Sequence, residues 1–426
     1  MDGGAMNPLL SFYLHRLFRQ GNLRITDAGG GDHRIGDGTG DPIHVRFRDP
    51  ATERAVAINP GLRFGEAYME GRIDLIEGTI FDLLKLISEN AGSAGAAEPW
   101  MKAIDRVRLS YRRIVQDNTP TRARRNVHHH YDLSAEFYGL FLDSDRQYSC
   151  AYFETPDSTL EEAQLAKKRH IAAKLLFDHP GLDVLDIGCG WGGMGLYLAE
   201  NCGAEVKGIT LSTEQHALAN ERARAAGLED HAHFEIEDYR AVTGGFDRIV
   251  SVGMFEHVGR DFYDDFFHQS SRLLRDDGVM LLHTIGRYEP PANTNAFISK
   301  YIFPGGYIPA LSEIMPAVER AGLIVCDVEV LRLHYAETLK HWRLRFAARR
   351  DEAKAIYDER FCRMWEFYLA ASECTFRWQD LVVFQLQLAH RHGVVPITRG
   401  YIAEAEAALR AREAENATSG SQQAAE

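Results

Sequence analysis

The chain places a run of glycines directly behind an apolar strand-like run: VLDI (184–187) passes into GCGWGG (188–193) and then into a helix-like segment. Glycines at the carboxyl end of a strand let the backbone approach a ligand closely, and that edge is where open α/β sheets bind cofactors. A nicotinamide dinucleotide fits poorly. The spacing is GxGxGG, and the second strand ends in Gly208-Ile209-Thr210 with no acidic residue for a ribose. Thr210, Ser212 and Gln215 offer other hydrogen-bonding groups there, although Ser212 with Gln215 also reads as a helix-capping S-x-x-Q. Further on, IEDYR (236–240) supplies Asp238, which could accept from an adenine amino group, and Tyr239, which could pack against the ring.

Taken alone, Cys150 reads as a small buried hydrophobe, Glu256 with His257 as a helix start, and His283 as a satisfied core histidine. The six cysteines include no CxxC pair, so neither a metal site nor a disulfide framework is expected, and a reducing compartment fits.

These residues need elements to hold them. LDVLDI, AEVKGI, FDRIVSV and GVMLLH alternate with helix-length amphipathic segments, which means βαβ units and a parallel sheet. Further strands are expected at 323–330 and 381–388, the latter late enough to close the sheet. Glu256 and His283 would then fall just after strands, at the same edge as the glycine loop. Residues 1–90 read as a small α+β domain, with strands at IHVRF (43–47) and AVAIN (55–59) and a helix at TIFDLLKLI. A linker beginning with AGSAGAA (91–97) and a basic connecting segment run to residue 125. Residues 126–400 form the catalytic domain, and 401–426 a short helix that frays into disorder.

The 426 residues, 45% hydrophobic and 26% charged, suit a globular protein of two or three domains. A net charge of -13 argues against a general nucleic-acid binder. Any anionic partner must meet a local basic patch, and Arg106, Arg108, Arg112, Arg113, Arg122, Arg124 and Arg125 form the best candidate for phospholipid headgroups. The start lacks a signal-peptide pattern, and no run of eighteen apolar residues occurs. A cytoplasmic protein, at most peripheral to a membrane, is expected.

VLDIGCGWGG resembles the first motif of class I S-adenosylmethionine-dependent methyltransferases. HYDLSAEFY (130–138), QYSCAYF (147–153), GITLSTEQ (208–215), DRIVSVGMFEHVG (247–259), LLHTIG (281–286) and KYIFPGG (300–306) follow one another in order. Together they resemble cyclopropane-fatty-acyl-phospholipid synthases and the related mycolic acid cyclopropane synthases, densely from His130 to Arg391. The segment GLRFGEAYMEGRIDL resembles the extra N-terminal domain of the bacterial phospholipid enzymes, which favours that branch.

The resemblance implies a class I methyltransferase, Rossmann-like α/β sheet with helices on both faces, plus the small N-terminal α+β domain. It implies methyl transfer from S-adenosylmethionine to a cis double bond of a membrane phospholipid acyl chain, then proton loss and ring closure. The cofactor would be bound by Tyr148, Ser149, Asp186, Gly188, Gly190, Trp191, Gly192, Thr210, Leu211, Gln215, Asp238 and Tyr239. A bicarbonate ion would serve as base, held by Cys150, Glu256, His283, Ile285 and Tyr335. Relatives also imply peripheral contact with the inner face of the cell membrane and a homodimer.

The residue types suit that chemistry. An alkene is a poor nucleophile and its methylation leaves a carbocation, so the site needs a dry pocket, aromatic faces and a weak base. His283 and Tyr335 can donate to bicarbonate, Ile285 and Cys150 can offer backbone groups, and ionised Glu256 can accept the hydroxyl proton. In YLAASECTF (368–376) several relatives carry a cysteine where this chain has Ser372; Cys374 lies two places on, and neither is expected to act as a catalytic thiol. The segment Tyr301 to Tyr307, interrupted by Pro-Gly-Gly, fits a loop beside the acyl chain. The nearest rival is a lipid C-methyltransferase that leaves a methyl branch or a methylated unsaturated chain. A non-catalytic lipid- or protein-binding module is a third reading, against which the full set of Cys150, Glu256, His283 and Tyr335 argues.

Overall fold

The computed structural model describes residues 6–93 and 133–423, so the Arg106–Arg125 cluster and most of the expected linker lie outside the described residues. The N-terminal sheet runs in the order β2-β1-β3-β4. It contains β1 (Asn22–Thr26), β2 (Asp32–Ile35), β3 (Pro42–Phe47) and β4 (Ile73–Glu77). Strand β3 shows the period of two that the sequence suggested, burying Ile43, Val45 and Phe47. AVAIN is not a strand; it ends a helix, Pro50–Ile58. Asp49 caps that helix by accepting from the Thr52 amide at 2.8 Å, Pro50 occupies its first turn, and Thr52, Glu53, Val56 and Ala57 form its buried face. The helix Ile80–Ser93 likewise runs past residue 91, where the linker was expected to begin.

The large sheet has the order β10-β11-β9-β8-β5-β6-β7. Its strands are β5 (Asp183–Ile187), β6 (Glu205–Thr210), β7 (Ala232–Ile236), β8 (Phe246–Val252), β9 (Leu274–Arg287), β10 (Ile324–Leu331) and β11 (Leu381–Ala389). Strands β5 to β9 pair in parallel, whereas β11 is antiparallel to both β9 and β10. The late strand thus inserts between β9 and β10, buried at all nine positions, instead of closing an edge. Strand β5 leads to β6 on one side and β8 on the other, and this reversal opens a crevice at the carboxyl ends of the strands. His283 lies within β9, not after it, because the β-branched Thr284 and Ile285 carry the strand on to Arg287.

The helix Leu160–Leu175 begins in a capping box between Thr159 and Glu162 and is buried almost throughout despite its many charges. Each charge finds a partner. Lys168 pairs with Asp145, Arg169 with Glu413, and His170 with both Glu329 and Glu406. Glu406 and Glu413 belong to the C-terminal helix Gly400–Gln423, which is longer than the expected short helix and packs along Leu160–Leu175. Its carboxylates neutralise buried cations, so the Ala/Glu/Arg pattern marks a docked face. Among the described residues no helix is long and apolar enough to cross a membrane, and no group of His, Cys, Asp and Glu is arranged to hold a metal ion.

Candidate active site

The chain leaves β5 through Gly188, whose φ of +83° is strained for any other residue. A Cβ there would also stand 2.7 Å from Met254 Cβ. The amides of Gly188 and Cys189 both donate to the Ile209 carbonyl at 3.0 Å, tying the glycine loop to β6. Around this loop the ends of β5, β6 and β8 enclose a pocket. Tyr148, Ser149, Asp186, Gly188, Gly190, Trp191, Thr210, Leu211, Gln215, Asp238 and Tyr239 line it, eleven of the twelve residues expected to bind the cofactor. Gly192 is not among them. Its φ is +81°, and an added Cβ would meet Phe234 at 2.8 Å and Ala219 at 3.0 Å, so this glycine serves close packing at the start of the helix Gly193–Cys202.

The polar groups of the pocket are braced. The Ser212 hydroxyl accepts from the Gln215 amide at 3.3 Å, but the Gln215 side chain turns to Thr210, whose hydroxyl donates to its oxygen at 2.8 Å. Helix capping and cofactor-pocket lining therefore coexist in S-x-x-Q. Both oxygens of Asp238 accept from the Arg240 guanidinium, at 2.8 and 2.6 Å, so an adenine amino group would have to share them. Tyr239 packs edge-on against Phe266 with ring centroids 5.4 Å apart. Asp186 is 1% exposed, and its Oδ2 has no hydrogen-bond partner among the described residues. Burial pushes its carboxyl up to about 7, against the opposing pull of Lys167 and the Gly195 amide.

Behind this pocket stands a second polar group. Glu256, in the short turn Phe255–His257 after β8, accepts from the Ile285 amide through Oε1 at 2.6 Å. Its Oε2 is buried with no partner among the described residues, and burial pushes the carboxyl up to about 7. His283, two residues before Ile285 on the same face of β9, is 2% exposed. Its Nδ1 faces the Gln385 side-chain amide at 3.2 Å, while Nε2 is buried without a partner among the described residues. The His283 carbonyl accepts from Gly253 at 2.9 Å, and Gly253 lines the cofactor pocket. Gly253 thus joins the His283 backbone to the pocket wall, and Met254 and His257, on either side of Glu256, line the same pocket.

Cys150 follows the pocket residue Ser149 and shares one apolar cluster with Tyr335 and Ile285. Burial pushes its thiol well up, which leaves it a poor nucleophile. Tyr335 meets Trp342 edge-on at 5.8 Å and Phe376 at 4.7 Å. In the same cluster Tyr148 stacks on Trp342 at 5.1 Å and shares a 2.8 Å hydrogen bond with the Tyr368 hydroxyl, and Tyr138 stands edge-on to Trp191 at 4.9 Å. The Pro-Gly-Gly loop joins the two halves of the site, since Pro304 and Gly305 line the pocket and the Tyr307 amide donates to the Glu256 carbonyl at 2.9 Å. Cys374 lies elsewhere, packed with Phe297 and Phe367 against the N-terminal unit, its thiol pushed up by burial to about 12.

Lys167 escaped the sequence reading. Its amine is fully buried and donates to Gln147 at 2.6 Å and to the Ser149 hydroxyl at 2.8 Å; burial pulls its pKa down to about 8. Arg222 likewise clamps the glycine loop, donating to the Trp191 carbonyl at 2.6 Å and pairing with Asp145. The available signal was the run KKRH (167–170), four consecutive basic residues that cover every side of a helix, so that some must be buried and paired.

Residues 118–386 match the family model of mycolic acid cyclopropane synthetases, and residues 12–98 match a domain of unknown function. A probable fatty acid methyltransferase of Pseudomonas putida is 38% identical over 79% of this chain and 85% of its own length. The cyclopropane-fatty-acyl-phospholipid synthase of Escherichia coli K12 is 37% identical over 81% of this chain and 87% of its own. Among solved structures, a mycolic acid cyclopropane synthase complexed with SAH and CTAB is 36% identical, covers 62% of this chain and 97% of its own, and superposes with a TM-score of 0.59.

Proposed function

The chain belongs to the mycolic acid cyclopropane synthetase family of S-adenosylmethionine-dependent methyltransferases, and from that premise we propose that it converts cis double bonds of phospholipid acyl chains into cyclopropane rings. The observation that carries the reading is the pair of orphaned buried atoms, Glu256 Oε2 and His283 Nε2, on residues joined to the cofactor pocket through their neighbours Met254, His257 and Gly253. A buried acceptor and a buried ring nitrogen are costly to leave unmet, and a small ion bearing both a hydroxyl and an oxyanion satisfies both. Bicarbonate fits that requirement. Glu256 would accept a hydrogen bond from its hydroxyl, His283 would donate to its oxyanion, and Cys150, Ile285 and Tyr335 would complete the cage. S-adenosylmethionine supplies the methyl group and bicarbonate a weak base for the departing proton.

The protein's own contribution is placement and exclusion of water. Thr210, Gln215, Asp238 and Tyr239 hold the nucleoside end of the cofactor, and Asp186 favours its cationic end. The Tyr148 and Trp191 rings, which line the pocket, offer negative faces to positive charge that develops on the acyl chain. The Pro-Gly-Gly loop beside them would receive that chain. The substrate lies in a membrane, so the Arg106–Arg125 segment is proposed to meet anionic headgroups at the inner face of the cell membrane, in a cytoplasmic protein acting as a homodimer.

A second reading is favoured by the Pseudomonas relative described as a probable fatty acid methyltransferase: the same site could leave a methylated chain without closing a ring. The test uses purified protein, S-adenosylmethionine and vesicles of a cis-unsaturated phospholipid. Acyl chains heavier by one carbon and carrying a cyclopropane support the proposal. Methylated chains without a ring transfer the assignment to the second reading, and unchanged lipid refutes both.

A further inference from the structure

Two residues outside the site decide which nitrogen of His283 carries its proton. His283 on β9 stands directly opposite Gln385 on β11, and both side chains are buried. Gln385 is in turn fixed by Lys174, whose amine approaches its Oε1 at 2.9 Å. A lysine ammonium can only donate, so the carbonyl end of Gln385 must face Lys174 and the NH2 end must face His283. That NH2 reaches Nδ1 at 3.2 Å, which makes Nδ1 the lone-pair nitrogen and leaves the ring proton of a neutral imidazole on Nε2, the orphaned atom.

Lys174 is locked from the opposite side. It is fully buried, pairs with Glu329, and has Asp327 at 3.9 Å. Glu329 also holds His170 at 2.7 Å, and His170 meets Glu406 of the C-terminal helix at 2.6 Å. Gln387, the next inward residue of β11, donates to the Lys174 carbonyl at 2.5 Å and keeps the helix in register with the strand. The ring stays neutral because burial opposes its protonation, as do the nearby cations Lys167, Lys174 and His170, and its pKa lies well below the ordinary value.

We propose that Lys174 and Gln385 are positioning residues that hold His283 in the Nε2–H tautomer, so that this histidine is a fixed donor to the bound anion and never the base. The proposal rests on the reading that an anion occupies the space next to His283. In its favour, the chain Glu406–His170–Glu329–Lys174–Gln385–His283 gives every buried polar group along it a partner except the last nitrogen.

The experiment labels the full-length protein with 15N-histidine and reads the tautomer of each of its 18 histidines from two-bond 15N–1H correlations, with His283→Gln identifying the signal in question. Wild type should show His283 with its proton on Nε2 alone. A proton on Nδ1, or a tautomer mixture in wild type, overturns the proposal with no variant needed. Gln385→Met and Lys174→Met should each turn the single tautomer into a mixture. Both should raise the bicarbonate concentration for half-maximal turnover by about tenfold while leaving S-adenosylhomocysteine affinity within about twofold. An unchanged tautomer in both variants, each still binding S-adenosylhomocysteine, also overturns it. If the wild-type tautomer is Nε2–H yet turnover ignores bicarbonate removal, the relay stands and the anion reading falls.

Discussion

Glu256→Gln separates a buried titrating carboxylate from a merely polar neighbour. In the folded protein burial pushes this carboxyl from its ordinary 4.5 up to about 7. Below pH 4.5 the folded and unfolded chains are both protonated there, and the group contributes nothing to the pH dependence. Between 4.5 and 7 the folded protein keeps a proton that the unfolded chain has released, so stability falls as pH rises; above 7 the folded state bears the whole cost of an ionised buried carboxylate. At about 1.4 kcal/mol per pH unit that cost approaches roughly 3 kcal/mol. Glutamine keeps the oxygen that accepts from the Ile285 amide and removes the charge. Whatever constant offset the amide carries, the stability of Glu256→Gln relative to wild type should therefore grow by roughly 2 to 3 kcal/mol between pH 5 and pH 8. Urea unfolding of both proteins at pH 5, 6, 7 and 8, in carbonate-free buffer, measures it. Turnover should collapse in the same variant while S-adenosylmethionine affinity holds within about twofold. A stability difference that does not vary with pH would refute the reasoning about Glu256, and lost cofactor affinity with normal turnover at saturation would move the residue to the cofactor site.

Asp186, pushed up to about 7 by burial, must ionise to favour a cationic cofactor. S-adenosylmethionine affinity measured by calorimetry should weaken below pH 7 by up to about tenfold per pH unit, and Asp186→Asn should abolish that dependence; a wild-type affinity equal at pH 6 and 8 counts against it. Cys150→Ser should retain turnover within about tenfold, because burial raises the thiol and the proposed contact is through the backbone. Complete inactivation of a folded Cys150→Ser protein would instead assign the sulfur a specific role. Reversing three or more arginines between Arg106 and Arg125 should weaken binding to anionic vesicles, as should raising the salt for wild type; salt-insensitive binding that survives reversal would place the contact on an apolar surface.

The parts of this molecule that sequence reveals are those governed by local rules. The glycine loop and the β5–β9 pattern follow from the period and from turn chemistry; the set of twelve cofactor residues came from the family resemblance, and eleven of them meet around one pocket. AVAIN misleads because five residues are too few to separate a period of two from 3.6, and the helix buries Val56 and Ala57 while leaving Ile58 exposed; Asp49-Pro50 ahead of it was the stronger signal, a cap followed by a first-turn proline. Gly192 shares its loop's composition but not its contacts, since the helix entry needs its missing Cβ for Phe234. The polar chain leading to His283 is the least visible feature. Its members lie at 170, 174, 329, 385 and 406, and only the tertiary fold brings them together. A clue existed in Gln385 and Gln387, two amides within an otherwise apolar strand, because a buried amide must find partners.

A cyclopropane forms only if the proton that leaves comes from the newly added carbon. The protein should therefore be given S-adenosylmethionine with a fully deuterated methyl group and a phospholipid containing a cis double bond. The acyl product should retain two of the three deuterons and show the upfield proton signals of a cyclopropane. Retention of all three deuterons, or two deuterons on an olefinic methylene, would contradict ring formation.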